Sequence, residues 1–182
     1  FATDTGPGMC LVDQWVKTNT NKKYDVDGSL AELGIINTII LEQALENFSA
    51  PLNNLETKNK KIVRSFDTSD FNLSFVRGLS LEDGAATLIE FTVQTLLLNL
   101  NIHKDEKIIL CGGGRKNSFL VERIKKNNIK VVLIDDFGID GDFVESQAFA
   151  YIAIRTILGL HISFPETTGC IIASSGGKIV EY

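Results

Sequence analysis

Apolar residues recur every three or four positions in three stretches of the chain, and the rhythm changes in its last third. Leu11, Val12, Trp15 and Val16 predict a helix over Met9 to Thr18, emerging from a glycine turn. After the polar turn YDVDG, Tyr24 to Gly28, a second helix is expected from a Ser29 cap to about Leu45, with Leu30, Leu33, Ile36, Ile40, Leu41 and Leu45 inward. The third pattern is the clearest. Ser80 precedes Glu82 and Asp83, favourable near a helix N-terminus, and Leu81, Ala85, Leu88, Ile89, Val93, Leu96, Leu97 and Leu100 follow in steps of three and four. Between these helices, the stretch from Phe48 to Asp70 has no sustained period, contains Pro51 and many Asn and Lys, and reads as an irregular loop over about 49–70.

From Lys107 the pattern becomes short apolar runs. KIILC, Lys107 to Cys111, predicts a buried strand. CGGGRKN follows, then a helix over about Ser118–Asn127, a second buried strand over Ile129–Ile134 and a helix over about Gly141–Leu158. Strand, glycine turn, helix and strand make a βαβ unit with a parallel pair, the mark of an α/β fold. Ser174 to Tyr182 reads as a turn and a short final strand.

Composition narrows the classes. The chain has 182 residues, 44% of them hydrophobic and eleven of them Phe, which suits one sizeable core rather than disorder. The formal net charge is −5, against a nucleic-acid footprint. The basic run Lys58 to Arg64 is short and reads as a solvated loop. Cys10, Cys111 and Cys170 are far apart, form no CxxC, and have only His103 and His161 to join them, so a transition-metal site is not expected and a reduced, cytoplasmic setting is. Both histidines read as structural or exposed residues at helix ends. No apolar run approaches the roughly 18 residues of a membrane span. Positions 1–20 are mixed and include Asp4 and Asp13, unlike a signal peptide.

Three clusters carry candidate chemistry. Gly112, Gly113 and Gly114 lie between a strand and a helix, where the backbone can approach a ligand and the helix start offers free amides; Arg115, Lys116 and Asn117 add donors. A tight turn without ligand is the alternative, since neither GxGxxG nor a P-loop is present. In DTGPG, Asp4 to Gly8, Asp4 suits either a general base or an Asx turn, Thr5 can hydrogen-bond a phosphate, and Gly6 and Gly8 leave room for one. In GIDGDFVES, Asp140 and Asp142 flank a helix start and Glu145 lies one turn in, pointing either to solvent or into a site. Asp25 and Asp27 read as turn residues.

Taken in order, DTGPG with LVDQWV, YDVDG, SFVRGLSLEDGAATL, ILCGGGRKN, DDFGIDGDFVESQAFAYIA and FPETTG resemble the anhydro-N-acetylmuramic acid kinase family over nearly the whole chain except about 53–62. The resemblance implies the two-lobed actin-like, sugar-kinase fold. It implies an enzyme that uses ATP and Mg2+ to open the 1,6-anhydro ring of anhydro-N-acetylmuramic acid with water and to phosphorylate the 6-hydroxyl, in peptidoglycan recycling. By resemblance Asp4 is the catalytic base, Thr5, Gly6 and Gly8 form a phosphate-approaching loop, Gly112, Gly113, Gly114 and Asn117 belong to the nucleotide side, and Glu145 contacts the sugar; no metal ligand is assigned. In the family DTGPG lies near the middle, after a half that carries a GTSxDG phosphate and metal loop. The expectation is therefore a single C-terminal lobe over 1–182, incomplete as a catalyst without its N-terminal lobe.

The sequence departs from the family at Thr3, where Phe is usual, and at Met9, where Asn is usual. No PPKS segment is visible, and Arg64 to Asp67 stand near its end. A competing reading is a non-catalytic nucleotide-binding or interaction module, with its helices forming a homodimer surface. A different sugar kinase of the same superfamily is a third.

Overall fold

The computed structural model describes residues 2–53, 65–100 and 106–180. Its helices are α1 (Cys10–Asn19), α2 (Ser29–Leu33), α3 (Thr38–Asn53), α4 (Leu81–Asn99), α5 (Ser118–Lys126), α6 (Val144–Ile157) and α7 (Pro165–Thr168), and its strands are β1 (Lys107–Leu110) and β2 (Lys130–Leu133). The architecture is α/β, and the predicted βαβ unit is present. The strands pair in parallel with Lys107 opposite Lys130 and Leu110 opposite Leu133, and α5 connects them.

The organising element is α4. Ser80 Oγ accepts the Asp83 amide at 3.1 Å, as the capping pattern predicts. Its residues from Gly84 to Val93 are all buried, a distribution that marks a helix enclosed on every side rather than one lying at a surface. α1, α2, α3 and α5 all pack against it. Gly84 is what lets α1 approach: a Cβ there would lie 2.5 Å from the Trp15 ring, whose Nε1 donates to the Leu81 carbonyl at 2.9 Å. A cluster of phenylalanines (Phe48, Phe66, Phe71, Phe75 and Phe91) closes the side of the core near α3, with neighbouring rings 4.8–6.5 Å apart.

The helix expected from Ser29 to Leu45 is two helices, broken at Gly34 to Asn37. There the backbone meets the start of α4 so closely that a Cβ on Gly34 would lie 2.1 Å from the Glu82 carbonyl oxygen. The amides freed by the break are taken by α4: Asp83 Oδ1 accepts from Ile35 N at 2.7 Å and Thr87 Oγ1 from Asn37 N at 3.0 Å. Leu33, expected inward, is consequently 76% exposed. Nor does Ser29 cap α2. The Asp25 carboxylate does, accepting from Leu30 N and Ala31 N at 2.9 and 3.1 Å. The irregular stretch starts later than expected, because α3 continues to Asn53; part of that stretch, with the basic run Lys58 to Arg64, lies outside the described residues, as does His103.

The two strands are not buried as predicted. Ile108 and Leu110 pack against the core while Ile109 is 45% exposed, because the face that carries Ile109 is only partly covered, with Phe137 lying against Lys107. No residue of α6 is buried. In place of a final strand the tail makes a single antiparallel bridge between Ser163 and Ser174.

Replacing Gly84 by Ala forces the Trp15 indole off its seat. The Gly84→Ala chain is expected to lose about 1–3 kcal/mol of stability, measured as a lower urea midpoint, with a red-shifted emission from Trp15. An unchanged midpoint and spectrum would mean that the α1–α4 contact tolerates a methyl group.

Candidate functional site

The DTGPG turn is strapped to the second half of α4. Asn99 Nδ2 donates to the Thr5 carbonyl at 2.9 Å and Thr92 Oγ1 donates to the Gly8 carbonyl at 3.0 Å. Gly6 lies so near α4 that a Cβ would come within 2.7 Å of Thr95 Oγ1, and Gly8 has a left-handed φ of 55°. The glycines at these two positions are thus required by packing and by turn geometry. Asp4 is exposed at the edge of this turn. Its Oδ2 accepts from Ser65 Oγ at 2.8 Å, and its amide donates back to the same oxygen at 3.1 Å. This fixes the carboxylate while leaving acceptor capacity toward solvent.

Beyond the turn, a cleft of about 500 Å3 opens between the start of α1, the Tyr24–Asp27 segment and the turn after β1. Gly113, Gly114 and Asn117 line one wall; Met9, Asp13, Tyr24, Asp25 and Asp27 line the other, with Lys116 and Asp142 at the rim. The segment after β1 does not enter α5 directly. Gly112, with φ 73° and ψ −173°, turns the chain into a 3-10 helical turn over Gly113–Lys116. A Cβ at Gly113 would meet nothing within 4 Å, so its backbone faces open space. Asn117 then caps α5 through Oδ1, which accepts Leu120 N at 2.9 Å. Its Nδ2 is buried with no hydrogen-bond partner, and Asn117 as a whole is only 3% exposed. A buried amide donor left unpaired costs free energy, and an acceptor placed in the cleft would relieve it.

The opposite wall is acidic. Burial, and secondarily the Asp25 charge, push the Asp13 carboxyl above its ordinary range. Asp27 holds a left-handed φ of 57°, and its carbonyl accepts from Ser118 Oγ at 2.6 Å, joining the YDVDG turn to α5. At the rim, Lys116 and then Arg115 hold the Asp142 carboxyl below the usual range.

The structure thus brings Gly113, Gly114 and Asn117 together at one cleft. Gly112 stands behind that wall, and Thr5, Gly6 and Gly8 form the neighbouring strapped turn, outside the lining. Asp4 and Glu145, the latter on α6, are both exposed, and neither lines the cleft. Arg115, read from sequence as a ligand donor, is turned inward and buried. Asp13, Tyr24, Asp25 and Asp27 were missed as site residues. For Tyr24, Asp25 and Asp27 the signal was YDVDG, which predicts a turn, and a turn capped by its own Asp looks the same in sequence whether or not its far side lines a cleft; Asp13, on α1, had no such signal. Among the described residues no group of three His, Cys, Asp or Glu side chains is arranged to hold a metal ion, and no helix is long and apolar enough to cross a membrane.

A family profile described as anhydro-N-acetylmuramic acid kinase matches residues 1–181. Curated relatives carrying that description include one from Pelagibacter ubique, 48% identical over 98% of this chain, and one from Zymomonas mobilis, 36% identical over 98%. A third, from Rhizorhabdus wittichii, is 38% identical over 97%. The chain spans about half the length of each: 48%, 48% and 47%.

The Arg115 guanidinium holds the Asp135 carboxyl down at about 2, against about 3.9 for an unfolded Asp. A carboxyl depressed in the folded state stabilises above its unfolded value, and that contribution disappears as pH falls through the folded one. Thermal melting of wild type and Asp135→Asn between about pH 7 and about pH 2 is expected to show the variant less stable near neutrality, with the gap closing below about pH 4. A gap that stays constant to the acid end would remove Asp135 as its source.

Proposed function

The chain belongs to the anhydro-N-acetylmuramic acid kinase family, and from that premise we propose that it is the C-terminal lobe of an actin-like, ATP-dependent carbohydrate kinase acting in the cytoplasm. The reaction opens the 1,6-anhydro ring of anhydro-N-acetylmuramic acid with water and phosphorylates the freed 6-hydroxyl, giving N-acetylmuramic acid 6-phosphate for peptidoglycan recycling. The observation that carries the nucleotide side of this reading is the buried, unpaired Asn117 Nδ2 beside the open Gly113–Gly114 backbone.

The charges of the cleft indicate which end of the nucleotide it takes. Asp13, Asp25, Asp27 and Asp142 face it against the single ammonium of Lys116. Such a wall repels a polyphosphate and accepts hydroxyl and amino donors, which suits the ribose and base. ATP, when bound, supplies the transferable phosphoryl group. In this arrangement Asn117 donates from Nδ2 to a nucleoside acceptor, and the Gly113–Gly114 backbone allows close contact. Among the described residues no group of three His, Cys, Asp or Glu side chains is arranged to hold Mg2+.

Asp4 serves as the general base. Its carboxylate takes a proton from water as the water oxygen bonds to the anomeric carbon and the bond from that carbon to O6 breaks. The freed O6 accepts the γ-phosphoryl, ADP leaves, and Asp4 returns its proton to solvent. Ser65, donating to Oδ2, orients the carboxylate, and the Thr5–Gly8 loop, pinned by α4, sets its height. An ordinary ionised Asp is sufficient for this role when the water is within reach. Glu145 is assigned to the sugar. Its exposure is consistent with a surface completed by further polypeptide, as is the absence of any buried residue on α6.

One observation favours a non-catalytic module instead: Met9, in place of the family's usual Asn, puts an apolar side chain into the cleft wall, 3.3 Å from where a Gly114 Cβ would stand. A reconstitution assay separates the two readings. This chain, mixed with a separately expressed N-terminal half, is expected to release ADP only when anhydro-N-acetylmuramic acid is present. Asp4→Asn should lower that release by about 10²–10⁴-fold, and the 182-residue chain alone should show negligible turnover. Absence of release from a folded complex would favour the binding module, and robust turnover by the chain alone would overturn the half-enzyme reading.

A further inference from the structure

Arg115 belongs to the glycine turn yet takes no part in lining the cleft. Its side chain is 5% exposed and directed away from the opening, into the loop that joins β2 to α6. Nε and Nη2 form a fork on the Asp135 carboxylate at 2.6 and 3.0 Å. Nη1 donates both to Asp142 Oδ1 at 2.7 Å and to the Gly112 carbonyl at 3.0 Å. One planar group therefore grips the end of β2, the approach to α6 and the first residue of the glycine turn. The backbone repeats the link, with Gly112 N donating to the Gly141 carbonyl at 3.2 Å. Gly141 is buried against the guanidinium, and a Cβ there would lie 2.3 Å from Arg115 Nε.

We propose that Arg115 is a positioning residue for nucleotide binding: it sets the Gly113–Gly114–Asn117 wall by clamping Gly112 to the Asp135–Asp142 loop. This rests on reading the cleft as the nucleoside site. Gly112 occupies a backbone region open essentially to glycine alone, so nothing in its own side chain fixes the turn. The turn's location is set by what holds its carbonyl and amide: the carbonyl accepts from the Arg115 guanidinium and, at 3.3 Å, from the Arg115 backbone amide, and the amide donates to the carbonyl of Gly141, which packs against the guanidinium. Asp142 extends the effect, since it lies at the cleft rim and is gripped by Arg115 on one oxygen and by Lys116 on the other. A lysine at 115 has a single ammonium and cannot make the planar fork on Asp135 while also reaching Gly112 and Asp142.

The test is calorimetric titration of ADP into the 182-residue chain, its Arg115→Lys, Arg115→Ala and Gly141→Ala variants, and the Arg115→Ala/Gly141→Ala double variant, each with a melting curve. Displacing the wall by about an ångström is expected to weaken ADP about ten- to hundredfold in each single variant. The double variant should bind no worse than Arg115→Ala, because the Gly141 methyl harms only by pushing the guanidinium. Millimolar methylguanidinium should restore affinity to Arg115→Ala, and methylammonium should not; a general loss of stability would show no such selectivity. Should Arg115→Ala fail to fold, Arg115→Lys and Gly141→Ala carry the same comparison. Wild-type affinity in folded Arg115→Lys and Gly141→Ala overturns the clamp and leaves the nucleoside reading standing. No ADP binding by wild type overturns the nucleoside reading, and the clamp's proposed role falls with it.

Discussion

Enclosure of α4 by its neighbours is the constraint on which the rest of the molecule depends. Between Gly84 and Val93 the helix has no face left for water, so a polar group that touches it there must find its partner within the core. That is how α4 comes to place the surrounding loops. Asp83 and Thr87 take the amides of the break between α2 and α3, while Thr92 and Asn99 take the carbonyls of the DTGPG turn. Small residues set how near those loops can come: Gly84 admits Trp15, and Gly34 and Gly6 touch α4 almost backbone to side chain or backbone. A polar side chain on an otherwise apolar buried helix is therefore a positioning device here. The height of Asp4 above the core is inherited from Thr92 and Asn99, nearly a hundred residues later in the chain.

The cleft follows a different logic. Its glycine wall is locally underdetermined, since Gly112 to Gly114 have no side chains to pack, and its opposite wall is held by charge and capping. Asp25 gives both carboxylate oxygens to α2 amides and so becomes buried without a cation. Asp13, lacking such partners nearby, bears the cost of burial as a raised pKa. The two acids stand on one wall in different states of satisfaction. The satisfied one organises backbone, and the unsatisfied one is available to a ligand.

How much of this could be read from the chain depended on the range of the interaction. α4, α5 and the parallel βαβ unit were legible because cap, period and apolar run are local signals that agree with one another. The break at Gly34 was not, because its cause is the Glu82 carbonyl 48 residues away, and the continuous apolar rhythm on both sides of it suggested one helix. Gly113, Gly114 and Asn117 were legible as a strand-to-helix turn, with or without a ligand, from three glycines and an Asn before a helix, and the packing places them on one cleft. The inward orientation of Arg115 was not, because Asp135 and Asp142 look like ordinary helix-start acids until the fold closes them around a guanidinium. Asp13 and Asp27 were invisible for the complementary reason: each belongs to a well-formed local element, and only the packing of those elements makes a cleft.

The surfaces that no local rule explains point outward. A two-stranded parallel sheet with one face only partly covered is unusual, since parallel sheets are ordinarily buried on both. α6 runs fourteen residues with Phe149, Tyr151, Ile154 and Ile157 all more than half exposed. Scattered exposed apolar residues need no explanation, but four large ones on a single helix with no buried residue have the composition of an interior. Relatives about twice this length offer a physical account of that excess: further polypeptide can cover both the sheet face and α6. On that account Glu145, on the same helix, changes character. Facing water it is a solvated carboxylate like any other, whereas covered by further polypeptide it would be a desolvated acceptor, the environment in which a carboxylate selects for hydroxyl donors. Its chemistry is then decided by what covers α6 rather than by the residues that flank it.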